Sequence, residues 1–418
     1  PHLRHVVIRK QPGAPEPQIP DTGGRIELHT TDDLLAADSD GLKSGYEVQW
    51  HEPSAVVFTA GTTGPSKGVT MSQNYLVCAA RQVYDLRGGT ASDVTYGALP
   101  LFHLAAMSVV TLGPITRGAT GVLDSKFSAT RFWDRVNKFQ ADHVVTLGAM
   151  VMMLWNQEPT DSDANNSARV AIAAPVPPEI HQKFEERFGV TILQLYAQSE
   201  AYPLMIAPID NPAPLGFSGK PNPLFTIKLF DDDDCEVGTG QVGEICVRPN
   251  EPHVMSEGYF NNPAATVTAL RNSWFHTGDL GRFNEEGFFE FVDRKKDYLR
   301  RRGENISSFE VERAINLYPG IAEVAVIAAP SDVTEDDVVA VIVPKDGCEV
   351  QPRSLMDHCV QNMPYFAVPR YIWYLDELPK NPVGRVEKYK LRDKLRRGGI
   401  HSVSDIWDRE KEGYVLKR

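Results

Sequence analysis

Between about residues 54 and 230 the chain alternates short apolar runs with segments of helical pattern, and no other feature restricts its fold as much. SAVVF, VTYGALP, ADHVVTL, RVAIAAP and VTILQLY read as strands, while NYLVCAARQVY and PPEIHQKFEERF read as helices. This alternation predicts an α/β domain with a largely parallel sheet and flanking helices. Further on, LFTIKLF and VGEICVRP flank DDDDCEVGTGQ and predict an antiparallel hairpin, with Asp231 to Asp234 in its exposed turn rather than in a metal site.

The last third changes character. SSFEVERAINLYPG opens with a capping box, Ser307 with Glu310, and ends at Pro-Gly. AEVAVIAAP, DVVAVIVP and RYIWYLDE are β-like around the helical PRSLMDHCVQNM. The expectation is an α/β large N-terminal domain over residues 1–295, with the hairpin near its end, followed by a small α+β C-terminal domain over 296–418.

A net charge of -12 argues against nucleic acid or an anionic membrane as partner. The five cysteines (78, 235, 246, 348 and 359) form no C-x-x-C pair, which predicts a reducing, cytoplasmic setting without structural zinc. No uncharged apolar run reaches membrane-spanning length. The start, PHLRHVVIRK, lacks an initiator Met, so a fragment is expected.

TAGTTGPSKGV, from Thr59 to Val69, has the composition of an anion-binding loop. Gly61, Gly64 and Gly68 let backbone amides approach an anion, Thr59, Thr62, Thr63 and Ser66 offer hydroxyls, and Lys67 adds charge. It fails the G-x-x-x-x-G-K-[ST] count, because Ser66 stands at the second glycine. The following GVTMS is strand-like, with a helix beginning only near Ser72.

TAGTTGPSKG closely resembles the signature loop of the adenylate-forming superfamily, which includes acyl-CoA synthetases, amino-acid adenylation domains and firefly-type luciferases. AAPVPPE, LYAQSEAYP, WFHTGDLG, VDRKKDYLRRRGENISSFEVE and LPKNPVGRVEKYKLR resemble its other motifs in the same chain order. Arg302 and the phrase GIHSVSDIWDRE resemble the carnitine/crotonobetaine-CoA ligase-like branch. The resemblance implies ATP, Mg²⁺ and coenzyme A as ligands. A carboxylic acid would attack the α-phosphate of ATP, releasing pyrophosphate, and after rotation of a mobile small domain the thiol of coenzyme A would take the acyl group. The partners would be small molecules, and a homodimer is compatible with this reading.

Carried onto this chain, the resemblance assigns the β- and γ-phosphates to Thr59, Gly61, Thr62, Thr63, Gly64 and Lys67, with Ala60 replacing a hydroxyl residue. Ala173, Ala174 and Pro175 would line the adenine, with Tyr196 and Ala197 beside it. Ser199 would keep a catalytic hydroxyl, Glu200 would hold Mg²⁺, Asp279 the ribose hydroxyls, and Arg294 the ribose or a phosphate. Lys296 falls at the hinge position. Arg300 to Arg302 would flank the coenzyme A phosphates or the rotated interface, and Gly303 the pantetheine arm. His103, in PLFH, lies on the acyl side, where amino-acid-activating relatives carry Asp; this favours an acid without an α-amino group. Positions 103 to 108 and 146 to 153 are expected around the acid.

Two departures stand out. The usual catalytic lysine position holds Arg385, and Lys388 is favoured to supply its charge, because the transition state suits a compact ammonium. Relatives also carry a further N-terminal portion ahead of the HVVI strand. A free-standing enzyme that loads a carrier protein and a nucleotide-binding pseudoenzyme remain as alternatives.

Overall fold

Residues 1–49 and 50–418 form separate compact units. The computed structural model describes residues 5–8, 27–30, 33, 36, 47–59, 66–301, 304–331, 335–381, 384–400 and 403–416. In the first unit, β1 (His5–Ile8) pairs in parallel with β2 (Glu27–Thr30).

The second unit opens with β3 (Pro53–Phe58) and β4 (Gly68–Ser72), which pair antiparallel with Phe58 opposite Gly68. The expectation had placed SAVVF in the parallel sheet. The link from Phe58 to Gly68 is too short for the crossover that parallel pairing needs, so the strand turns back on itself instead. Ser72 ends β4 and caps α1 (Gln73–Leu86), its hydroxyl accepting the Tyr75 N–H at 3.1 Å.

The alternating segment follows: β5 (Val94–Gly97), α2 (Gly113–Arg117), β6 (Thr120–Leu123), α3 (Phe132–Phe139), β7 (His143–Leu147), α4 (Gly148–Trp155), β8 (Val170–Ala174), α5 (Pro178–Phe188) and β9 (Thr191–Leu193). A π-helix, Ala106–Leu112, precedes α2. The strands lie in the order β6-β5-β7-β8-β9, all parallel, as the alternation predicts. Because strand side chains alternate, the sheet has two buried faces. Val145 and Ile172 pack against Leu76, Ala79 and Val83 of α1. Val144, Ala171 and Ala173 pack against Val136 of α3 and Phe184 and Phe188 of α5.

Next come β10 (Met205–Ile206), β11 (Lys220–Pro221), β12 (Phe225–Phe230), β13 (Gly243–Pro249), α6 (Pro263–Ala269), β14 (Leu270–Arg271), β15 (Trp274–Phe283) and β16 (Phe289–Arg294). The predicted hairpin is β12–β13, and it belongs to a five-stranded antiparallel sheet with β14, β15 and β16. Its acidic turn is not merely solvated, since Asp232 pairs with Lys295 at 2.8 Å.

The chain continues through β17 (Leu299–Arg301), β18 (Glu304–Ile306), α7 (Ser308–Asn316), β19 (Ile321–Pro330), β20 (Asp336–Pro344), α8 (Pro352–Asn362), β21 (Tyr371–Tyr374), α9 (Lys388–Gly398) and β22 (Ile406–Asp408). The last four strands form one sheet, with α7 and α8 on one face and α9 on the other. Arg301, read from sequence as a phosphate or interface residue, is buried instead. It donates to the carbonyls of Phe366 and Val368, both at 3.1 Å, so its role is internal. Among the described residues, no helix is long and apolar enough to cross a membrane.

The N-terminus of α7 is capped twice. Ser307 accepts the Glu310 N–H at 3.1 Å, and the buried Asp293 of β16 accepts those of Ser308 and Phe309 at 2.5 and 3.3 Å. Replacing Asp293 with Ala strands two amide donors at a helix start. We expect Asp293→Ala to lose about 1–2 kcal/mol in chemical denaturation, with secondary structure unchanged at low temperature by circular dichroism.

Candidate active site

The carboxyl ends of β7 and β8, the segment Leu195–Tyr202 and the β13–β15–β16 ladder surround a cleft of about 1090 Å³. Open α/β sheets place their sites at such strand ends. Its described lining holds six basic side chains (Lys67, Arg271, Arg294, Lys295, Lys296 and Arg385) against three carboxylates (Glu200, Glu244 and Asp279). A cationic cleft in a chain of net charge -12 marks a place for an anion.

Asp279 sits on β15 opposite Arg294 of β16. Its Oδ2 accepts the Tyr196 hydroxyl at 2.8 Å and the Gln198 amide at 2.7 Å, while Oδ1 lies 3.9 Å from Arg294 Nε. The Tyr196 ring packs on Phe291 with centroids 6.1 Å apart and planes 27° apart. Gln198 also donates to the Thr277 carbonyl at 3.1 Å, which orients it. The sequence assigned Tyr196, Asp279 and Arg294 to one site and missed Gln198, whose signal is no more than a polar residue between two motif positions.

A second pole forms around Glu200. Its Oε1 accepts the Tyr259 hydroxyl at 2.7 Å, and Lys67 Nζ stands 4.6 Å from the centre of the Tyr259 ring. Burial pushes the Glu200 carboxyl up, and the Tyr259 hydrogen bond and the Lys67 charge oppose that shift. Tyr259 was missed, since it approaches from a distant loop. Thr59 and Lys67 close the neck of the loop, with the Thr59 N–H donating to the Lys67 carbonyl at 2.9 Å. The loop is therefore a hairpin connection, not a strand-to-helix turn. Gly61, Thr62, Thr63 and Gly64 lie outside the described residues, as do Arg302 and Gly303.

A carboxylate oxygen such as that of Glu200 suits Mg²⁺, which takes hard oxygen ligands. The other grouping with metal-ligand chemistry among the described residues is Glu244, Cys246 and His276. Cations already serve it: Lys295 lies 3.0 Å from Glu244, and Arg271 Nη2 lies 2.8 Å from His276 Nδ1. Burial pushes the Cys246 thiol up to about 12, so it is no thiolate at neutral pH. This cluster is an ion-pair network rather than a metal site.

Arg385 lines the cleft, and Lys388 does not. Lys388 Nζ pairs with Glu312 at 2.6 Å and donates to Ser308 Oγ at 2.7 Å, anchoring α9 to α7. This geometry runs against the preference for Lys388: the start of α9 turns its side chain into the protein, while Arg385 precedes the helix. Arg385 is open to the cleft's solvent yet ringed by protein, in the fields of Arg294 and Asp279. His103 shares that neighbourhood; burial first, and Arg385 second, push its ring down to about 4. Its Nδ1 accepts the Ala105 N–H at 3.2 Å, which assigns the ring proton to Nε2.

Ala174, Pro175, Ala197, Ser199 and Lys296 all line the cleft, the last exposed between β16 and β17. Ala173 does not: β-alternation turns it to the opposite face, among Ala171 and Phe184. Of the stretches expected around the acid, residues 103–105 and 146–147 line the cleft, and 106–108 and 148–153 do not. Met150 and Val151, for example, are spent on the cores beneath.

A family model described as AMP-binding enzyme matches residues 6–260, and one described as AMP-binding enzyme C-terminal domain matches residues 310–385. A crotonobetaine/carnitine–CoA ligase from Proteus mirabilis is 32% identical over 346 residues, 82% of this chain and 66% of its own length. An indoleacetate–CoA ligase from Aromatoleum aromaticum is 30% identical over 367 residues, 87% of this chain and 71% of its own. The chain thus spans roughly two thirds to three quarters of the curated relatives it matches. Among solved structures, o-succinylbenzoate CoA synthetase (MenE) from Bacillus subtilis, in complex with its acyl-adenylate intermediate, aligns with TM-score 0.78 and 26% identity, covering 88% of this chain and 75% of that one. ATP-bound MatB from Rhodopseudomonas palustris aligns with TM-score 0.80 at 24% identity over 90% of this chain and 76% of that one, which speaks for the fold.

Two measurements follow from this geometry. Lys388→Ala leaves Glu312 without its cation and should lower stability by about 3 kcal/mol, read by denaturant unfolding, whereas Arg385→Ala should leave the midpoint within error. His103 has an ordinary value of 6.5 and a folded value of about 4, so between these the unfolded chain binds the extra proton. Stability is therefore lost as pH falls from 6.5 toward 4, and the thermal midpoint of His103→Gln should fall less steeply over that window than that of the parent.

Proposed function

The chain belongs to the AMP-binding enzyme family, and from that premise we propose that it joins a carboxylic acid to coenzyme A at the expense of ATP. The acid's carboxylate oxygen attacks the α-phosphorus, the bond to the bridging oxygen breaks, and pyrophosphate leaves. The thiol of coenzyme A then attacks the acyl carbon of the adenylate, AMP departs, and the thiol proton passes to solvent. The observation that carries this reading is the cleft itself, whose lining brings together Asp279 with Arg294 and Arg385, Glu200 with Lys67, and an apolar wall.

Each group has a task its chemistry suits. Asp279 accepts the ribose hydroxyls, held in place by Tyr196 and Gln198. Ala174, Pro175 and Ala197 give the adenine a flat, narrow wall. Thr59 and Lys67 hold the mouth of a loop that grips the departing pyrophosphate. Glu200 would hold Mg²⁺, whose chemistry when bound is to neutralise phosphate charge. Arg385 faces the point where carboxylate meets α-phosphate, and its permanently charged guanidinium stabilises the charge shared between them. His103 offers Nε2–H beside it as a neutral donor. Residues 296–418 then swing about Lys296 to admit the thiol, with Arg302 and Gly303 on its path.

The relatives' names span two kinds of acid, a quaternary ammonium in carnitine and an aromatic body in indoleacetate. Acid-dependent exchange of pyrophosphate into ATP tests the first step, and a comparison of coenzyme A with a carrier protein as acceptor tests the second. Arg385→Ala should lower exchange by about 10²–10³-fold while converting supplied acyl-adenylate to thioester at close to the parent rate. Parent-like exchange in Arg385→Ala would remove it from the chemistry. ATP binding without exchange across a broad acid panel would make the chain a nucleotide-binding protein instead.

A further inference from the structure

The charges of the cleft gather in groups, while apolar residues of its lining pack together in one cluster. Lys67 and Glu200 meet at Tyr259; Arg271 and Lys295 both pair with Glu244; Asp279, Arg294 and Arg385 form a third group; and Lys296 is exposed between β16 and β17. The remaining wall, with Leu104, Val145, Leu147, Ile172, Leu195 and Tyr202, carries no ionised side chain among the described residues. We infer that the acid activated here has an uncharged, apolar body, aliphatic or aromatic, and is neither a quaternary ammonium acid nor a dicarboxylate. This inference rests on the ligase reading above.

A quaternary ammonium needs a carboxylate or a cage of several aromatic faces once it leaves water, and of the six side chains of that wall only Tyr202 is aromatic. The carboxylate closest in sequence, Glu200, is directed to Tyr259 and Lys67. His103 gives no anion, and its Nε2–H is a donor, which a quaternary ammonium cannot use. The field beneath the wall also has the wrong sign. Arg87 is fully buried there, its guanidinium 4.1 Å from the centre of the Tyr84 ring and donating to Thr95 Oγ1 at 2.7 Å, and its charge reaches Tyr202.

Arg87 has the charge to partner a second carboxylate, and its Nε and Nη1 have no hydrogen-bond partner. Yet it does not line the cleft, whereas Tyr202, Val145 and Ile172 do and are themselves buried. A distal carboxylate would meet hydrocarbon and, among those six side chains, one donor, the Tyr202 hydroxyl, which is already in hydrogen-bond contact with Ser108, so it would lose most of its water without replacement. An apolar body gains from the same wall, about 25 cal/mol for each Å² it covers.

The test uses stable acyl-sulfamoyl adenosines, which report binding without chemistry. Three bodies are compared on the full chain by calorimetry: phenylacetyl, 4-(trimethylammonio)butanoyl and succinyl, with ATP titrated in parallel. The phenylacetyl analogue should bind at least about tenfold more tightly than either charged one. Equal or tighter binding of the trimethylammonio or succinyl analogue overturns the inference and leaves the ligase reading intact. Binding of ATP but of none of the three overturns the ligase reading itself. Leu147→Asp, at a half-buried lining position, should narrow the gap between phenylacetyl and trimethylammonio analogues by about tenfold in a variant whose thermal midpoint shows it folded. An unchanged gap there would mean the acid's body lies elsewhere.

Discussion

The carboxylate of Asp279 joins two sheets that have no strand in common. It stands on β15 of the antiparallel sheet, and its Oδ2 is held by Tyr196 and Gln198, which follow the last strand of the parallel one. A buried carboxylate is tolerated only where donors replace its water, and hydrogen bonds to a charged group contribute about 1.5–3 kcal/mol each. Satisfying that group ties the segment after the parallel sheet to β15, alongside the packing of the Tyr196 ring on Phe289 and Phe291. Gln198 donates to the Thr277 carbonyl as well, so the same join constrains main chain as well as side chain.

Arg385 and Lys388 show how a local rule of chemistry yields to geometry. From residue type alone, an ammonium suits the adenylation transition state better than a guanidinium. The helix that begins at Lys388 decides otherwise, because its first turn packs against α7 and Glu312 claims the ammonium. Glu312 is itself fixed by the Val326 N–H at 2.7 Å, so the pair belongs to the frame of that sheet. Arg385, three residues earlier in an irregular segment, keeps its freedom to face the cleft.

What could be read from sequence follows the same division. Strand and helix runs obey local periodicity, so the parallel sheet, the β12–β13 hairpin and the Ser307 cap were all legible. Register against a partner is also local wherever the connection is short, and the span from Phe58 to Gly68 already contained the antiparallel pairing of β3 with β4. Ala173 was misjudged by treating a motif as a block, although period-two alternation sends its neighbours Ile172 and Ala174 to the other side. Gln198, Tyr259 and Asp293 left no usable trace. Each matters through a partner remote in sequence or across an element boundary, and a lone polar residue does not announce its partner.

Net charge, by contrast, misleads unless it is resolved in space. A chain carrying -12 would be a poor receptor for a triphosphate if its charge were spread evenly. Here the cleft lining reverses the sign, and Lys67, Arg271, Arg294 and Lys295 each lie beside one of its three carboxylates. That mutual pairing has a directional consequence. Because those four cations are already oriented by neighbours, the apolar wall carries no ionised side chain among the described residues, and the boundary between the two falls at His103, which adjoins Leu104 of that wall and feels the charge of Arg385. A reaction that begins with an anionic oxygen emerging from an apolar body and ends on a phosphate requires that boundary, and the residues that draw it come from three different parts of the chain.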